Sequence, residues 1–149
     1  HTNDAPSTIT RLQNMGTPDY LISAACQLVV AQRLARKNCK DCKVPDDDVT
    51  PKVLQDLGFT AEVASRVKAI KGKGCPKCKD TGYKGRQGIY EILSVSKPLK
   101  EAILRQATTP ELREIAVKEG FQTMQDMGKR LIASGDLNFR EYERVLSNE

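Results

Sequence analysis

Residues 74–93 read GCPKCKDTGYKGRQGIYEIL. Cys75 and Cys78 stand two residues apart, followed by a glycine-rich stretch, three lysines and an arginine across the segment, and an apolar run. A matching pair, Cys39 and Cys42, lies upstream in NCKDCK. Zinc takes four soft ligands at tetrahedral corners, about 2.3 Å from the metal, and two such knuckles brought together supply them. Within each knuckle a tight turn aims both sulfurs inward and lets backbone N–H groups bond the thiolates. Lys40 and Asp41 fill one turn, Pro76 and Lys77 the other, and Gly74 and Gly82 give the backbone room to bend. The pattern predicts a structural Zn²⁺ site at Cys39, Cys42, Cys75 and Cys78. Four cysteines close the coordination shell and leave no place for a catalytic water.

Other uses of the cysteines fit less well. An iron–sulfur cluster also takes four thiolates, but this pairing is less typical of one. A thioredoxin-like redox pair needs a single CxxC at the head of a helix in a βαβ unit. Disulfides need oxidising conditions that nothing else in the sequence supports. The fifth cysteine, Cys26, sits among Ala and Leu and reads as a small buried residue within a helix. Residues 39–78 offer few large apolar side chains, so metal binding would supply much of their folding free energy.

Charge gathers around the cysteines. Arg33 to Lys43 holds five basic residues and one acid, and Arg66 to Arg86 holds eight basic residues and one acid, Asp80. A zinc tetrathiolate carries −2, so basic residues have an electrostatic reason to crowd it without any nucleic acid. A docking surface for protein, nucleotide or anionic lipid is the next reading, and nucleic acid the last.

The rest of the composition bounds the class. With 39% hydrophobic and 29% charged residues, the chain is globular rather than disordered. It has no Trp, so the core rests on Leu, Ile, Val and Ala. The run YLISAACQLVVA is too short and too interrupted to span a bilayer. The opening HTNDAPST shows no signal peptide and is expected to continue a longer protein.

Helix punctuation recurs along the chain. Asn3 or Asp4 caps a helix that Gly16 stops, and Thr17 caps one with Pro18 at its first position and Leu21, Ala25 and Leu28 on one face. VVAQRLARKNC is expected to begin as the end of that helix and finish as a strand. Thr50-Pro51 opens a short helix closed by Gly58, TAEVASRVKAI forms another, and GIYEIL is a strand. From Pro98 onward the pattern is helical, with a cap at Thr109-Pro110-Glu111 and a face of Met124, Met127 and Leu131. A last helix capped at Asn138 shows Phe139, Tyr142 and Leu146 on one side. The expected class is α+β, mostly α-helical.

These residues resemble the C-terminal portion of the type IV pilus assembly and type II secretion ATPases. The likeness runs through HTNDAPSTITRL, LVVAQRLARKNCKDCK, GCPKCKDTGYKGRQGIYEIL and ELREIAVKEGFQTM, nearly the whole chain. It implies the end of a RecA-like ATPase domain at residues 1–38, a tetracysteine zinc-binding subdomain at 39–87, and a strand plus C-terminal helical subdomain at 88–149. It further implies a homo-hexameric motor that hydrolyses ATP with Mg²⁺ at subunit interfaces, cytoplasmic and peripheral to the inner membrane. Its partners would be an inner-membrane platform protein and accessory proteins, with no nucleic acid and no membrane span. His1, with Thr2 and Asn3, matches the family's His box, near the nucleotide's terminal phosphate.

One departure bounds the activity. No GxxxxGK[ST] occurs in these 149 residues, so this stretch alone should not hydrolyse ATP. Arg33, Lys84 and Arg86 could reach a phosphate or a neighbouring subunit, though salt bridges or solvated faces are the simpler expectation. The rival readings are a stand-alone zinc-ribbon module that binds nucleic acid, and a redox-regulated protein using the CxxC pairs.

Overall fold

The computed structural model describes residues 2–147, and its contacts divide the chain into two units. The first comprises the segment ending at Gln32 together with Tyr90–Met124; the second comprises Arg33–Ile89 and the segment from Gln125 onward. Two long strands, β1 (Leu28–Asn38) and β4 (Tyr83–Ser94), pass through both and pair with each other. Cys39 N–H donates to Gly82 and Val95 N–H to Gln27, so the two strands run antiparallel.

In the first unit, α1 (Ala5–Asn14) and α2 (Asp19–Ala25) precede β1, and α5 (Lys97–Leu104) and α6 (Thr109–Lys118) follow β4. The Asp4 carboxylate accepts from Ser7 N–H and caps α1, with Pro6 in the first turn. Ser96 caps α5 in the same way. Thr108 caps α6 and Glu111 bonds back to the Thr108 N–H, a reciprocal pair that satisfies two free donors. The cap is therefore Thr108, one residue before the expected Thr109. Ile9, Ile22, Leu93, Leu99, Ile103 and Leu112 are buried and form the core.

Inside this core lies a carboxylate. Glu91, 2% exposed, accepts from Ala5 N–H at 2.7 Å and Met124 N–H at 3.0 Å. It thereby joins the first turns of α1 and α7 (Met124–Ser134), whose leading N–H groups have no partner within their own helix.

In the second unit, β2 (Lys43–Pro45) pairs antiparallel with β3 (Ile70–Gly72), in the register Val44 to Lys71. The short helices α3 (Pro51–Asp56) and α4 (Ala61–Arg66) fill the excursion between them, capped by Thr50 and Thr60. α7 and α8 (Phe139–Leu146) complete the unit. Gly128 lets them pack closely, since a methyl there would overlap Tyr142 and Leu146.

The fold is a mixture of α and β, and several local expectations shift. Pro18 holds the N-cap position of α2 rather than Thr17, and the helix ends at Ala25, so Leu28 opens a strand instead of continuing a helical face. Leu21 is exposed and Ile22 carries the burial. Cys26 is half-buried in the extended link after α2, not inside a helix. VVAQRLARKN is strand throughout because its alternate residues Val29, Ala31 and Ala35 are buried, the period of a pleated strand. β4 likewise begins at Tyr83, ahead of GIYEIL. In α7 the buried positions are Met124, Gly128 and Ile132, while Met127 and Leu131 are half-buried.

Candidate metal centre

The first knuckle, Cys39 to Cys42, is the turn from β1 into β2, closed by Cys42 N–H donating to the Cys39 carbonyl. The second is a 3-10 turn at Pro76–Cys78, led by Cys75 in extended conformation. Lys79 and Asp80 then take left-handed backbone angles, φ 54° and 59°, and fold the chain back over the turn. That conformation falls on two non-glycine residues with no glycine between them, so nothing in the sequence marks it. Gly82 does meet the glycine expectation: its backbone lies against Gly72, where a side chain on either residue would collide with the other's carbonyl.

These turns bring together the four sulfurs that the sequence paired. All lie within 4.8 Å of one another. Cys39 and Cys75 Sγ are 3.8 Å apart, Cys42 and Cys78 3.9 Å, and Cys75 and Cys78 3.7 Å. A tetrahedron with 2.3 Å metal–sulfur bonds has edges of about 3.8 Å, so the cluster has the size a zinc-class ion requires. The same separations are too long for disulfides. Three amides point at the sulfurs. Gly74 N–H donates to Cys42 Sγ at 3.3 Å, and Cys75 and Gly82 N–H donate to Cys78 Sγ at 3.2 and 3.3 Å.

The donors divide the thiols electrostatically. Burial, together with the neighbouring thiols, pushes the Cys42 thiol up to about 11, against one opposing amide from Gly74. Burial works the same way on Cys78, but the amides of Cys75 and Gly82, with the thiols of Cys75 and Cys42, outweigh it and bring that thiol down to about 6. The Cys78 thiolate is thus favoured over that of Cys42, and a bound dication would hold all four sulfurs deprotonated.

The surrounding charges are only partly engaged. Lys77 pairs with Asp41 at 2.9 Å and so links the two knuckles. Lys43 pairs with Asp136 at 3.3 Å and Lys71 with Asp46 at 3.5 Å. Lys40, Lys73, Lys79, Lys84 and Arg86 are exposed and make no ion pair among the described residues. Lys84 and Arg86 thus face solvent in this chain. Arg33 differs: it donates to the Val145 carbonyl at 2.6 Å, near the negative end of α8. His1 lies outside the described residues.

A polar network went unseen in the sequence. Glu141, fully buried in α8, accepts from the backbone N–H of Arg36 at 2.8 Å, from its guanidinium and from Arg144. Burial alone would raise its carboxyl, but Arg144, Arg36 and the Arg36 amide together bring it down to about 2. Arg36 lies 4.0 Å over the Tyr83 ring, and the Tyr83 hydroxyl accepts from Asn138. The only local signal was the spacing of Glu141 and Arg144 by three residues.

Known proteins share this chain's pattern from end to end. The family model described as type II/IV secretion system protein matches residues 1–144. The type IV pilus assembly ATPase PilB of Myxococcus xanthus is 37% identical over 141 residues, covering 95% of this chain and 25% of that protein. PilB of Thermus thermophilus is 41% identical over 131 residues, 86% of this chain and 14% of that protein. The type II secretion system protein HxcR of Pseudomonas aeruginosa is 35% identical over 145 residues, 97% of this chain and 27% of that protein. The chain therefore spans about a quarter or less of these relatives, and it belongs to the type II/IV secretion system protein family.

Proposed function

We propose that these residues are the zinc-braced C-terminal region of a hexameric motor ATPase that powers type IV pilus assembly or type II secretion. The observation that carries the reading is the end-to-end likeness to proteins named for those ATPases, with the four sulfurs at tetrahedral spacing. In this reading residues 1–38 end a RecA-like domain, 39–87 form the zinc subdomain, and 88–149 form a strand and helical subdomain. His1 would lie near the terminal phosphate of bound ATP. The protein would work in the cytoplasm against an inner-membrane platform and accessory proteins; among the described residues no helix is long and apolar enough to cross a membrane.

Zn²⁺ at Cys39, Cys42, Cys75 and Cys78 would act as a brace. The second unit's segment around the cysteines buries one large aliphatic side chain completely between Asn38 and Gly82, Leu54, so metal binding would supply folding free energy that side chains do not. In the first unit, Leu28, Val30 and Ile92 lie more than half exposed on strands whose other face is buried. Strands apolar on both faces suit a sheet covered on both sides, as in a larger parent domain. The nucleic-acid alternative loses its aromatic: Tyr83, the ring nearest the cysteines, is already covered by Arg36.

The test is ATP hydrolysis by the parent protein and by this chain, alongside native mass spectrometry. The parent should hydrolyse ATP with Mg²⁺, and this chain alone should not while carrying one zinc. A parent without a GxxxxGK[ST] or without hydrolysis would refute the motor. Two disulfides or an iron–sulfur mass would refute the brace.

A further inference from the structure

The metal loop leaves β1 at Asn38 and returns along β3. Asn38, 1% exposed, immediately precedes Cys39. Its side-chain nitrogen donates to the carbonyls of Ile70 and Gly135, both at 3.0 Å. Its backbone N–H donates to the Asp136 carbonyl at 2.9 Å. Its side-chain oxygen is buried with no hydrogen-bond partner. One amide thus ties together the outgoing stem of the loop, its returning stem at the start of β3, and the turn between α7 and α8.

A buried carbonyl left unpaired opposes folding; an apolar side chain would spare that oxygen but leave the Ile70 and Gly135 carbonyls without their donor. What the amide contributes is position. Both stems are held at a set separation before they reach the knuckles, and Cys39 starts from a backbone anchored on each side. Lys43, paired with Asp136, adds a second tie from β2 to the same turn.

We propose that Asn38 is a positioning residue for the metal centre, coupling metal affinity to the order of the α7–α8 turn. The inference rests on the zinc reading above. Coupling of this kind is reciprocal: metal binding steadies the turn by as much as an ordered turn strengthens metal binding. Groups that orient metal ligands without touching the metal change affinity by roughly 10- to 100-fold.

The experiment is a zinc competition titration against a chromophoric chelator under reducing conditions, with the wild type, Asn38→Ala and Ile103→Val. Ile103 is fully buried in α5 of the first unit and controls for general loss of stability. Asn38→Ala should weaken zinc binding by roughly 10- to 100-fold, whereas Ile103→Val should lower the melting temperature and leave affinity unchanged. Equal affinity in Asn38→Ala and wild type would overturn the inference and leave the zinc site standing. A wild type that binds no zinc would overturn both.

A second measurement needs no variant. On chelation of the wild type, hydrogen exchange should quicken at Gly74 and Gly82 and also at Asn38, Asp136 and Leu137. Faster exchange confined to residues 39–82 would refute the coupling.

Discussion

The two units solve the same problem with different chemistry. The first buries Ile9, Ile22, Leu93, Leu99, Ile103 and Leu112, and side-chain caps at Asp4, Ser96 and Thr108 start three of its helices. Aliphatic burial at about 1.5–3 kcal/mol per large side chain suffices to hold such a body. In the second unit the stretch around the cysteines lacks that resource, and four sulfurs and a charged network stand where a core would be. By sequence the first unit holds six basic and seven acidic residues and the second eighteen and twelve. Excess positive charge collects where a metal tetrathiolate would offset part of it. Where apolar side chains are scarce, stability moves into ionic bonds that acid and point changes of charge can reach and, in the zinc reading, into metal bonds that chelators can reach.

The sharpest way to break this contrast is to remove the metal that the zinc reading places there. Chelation, or Cys78→Ser, should unfold the metal loop of the second unit and leave the first unit protected, because structural zinc in small domains contributes on the order of 10 kcal/mol. Hydrogen exchange resolved by peptide would show it. Equal loss of protection in both units would erase the distinction.

A smaller effect separates the two buried glutamates. Glu141→Gln leaves Arg36 and Arg144 facing a neutral group and should cost about 2 kcal/mol, since both arginines are half-exposed and partly screened. The sign in acid follows from the lowered carboxyl. Its stabilisation is complete above the ordinary value of 4.5 and fades as pH falls toward about 2. The stability gap between wild type and Glu141→Gln, read from urea unfolding, should therefore close over that window. Glu91→Gln keeps one acceptor for the amides of Ala5 and Met124 and loses the other. It should cost about 1–2 kcal/mol and raise exchange at those two amides.

The smallest expected change is Thr108→Ala, which removes the α6 cap for about 1 kcal/mol. Thermal melts should show it alike with and without chelator. A chelator-dependent effect would mean that the first unit depends on the metal after all.

Much of this was legible because it is local. CxxC spacing, a Ser, Thr, Asp or Asn ahead of a helix, and a proline in its first turn act within a few residues, and Asp4, Thr50 and Asn138 cap helices as their positions imply. The sequence misleads where two local signals compete. LVVAQRLARKN holds good helix formers, but burial of every second residue made it strand. Leu21 and Ile22 are equally apolar neighbours, and only packing decided that Ile22 goes inside.

By itself the sequence determined the two cysteine pairs that cluster, most helix starts and the family likeness, since each rests on residue identity at short spacing. The tertiary structure decided which carboxylates are buried, which cations stay free, and what Asn38 holds. Glu91 meets Ala5 across 86 positions, Glu141 meets Arg36 across 105, and Asn38 meets Gly135 across 97. Hydrogen bonds between such distant groups follow from how the chain folds back on itself, and no spacing in the sequence encodes them.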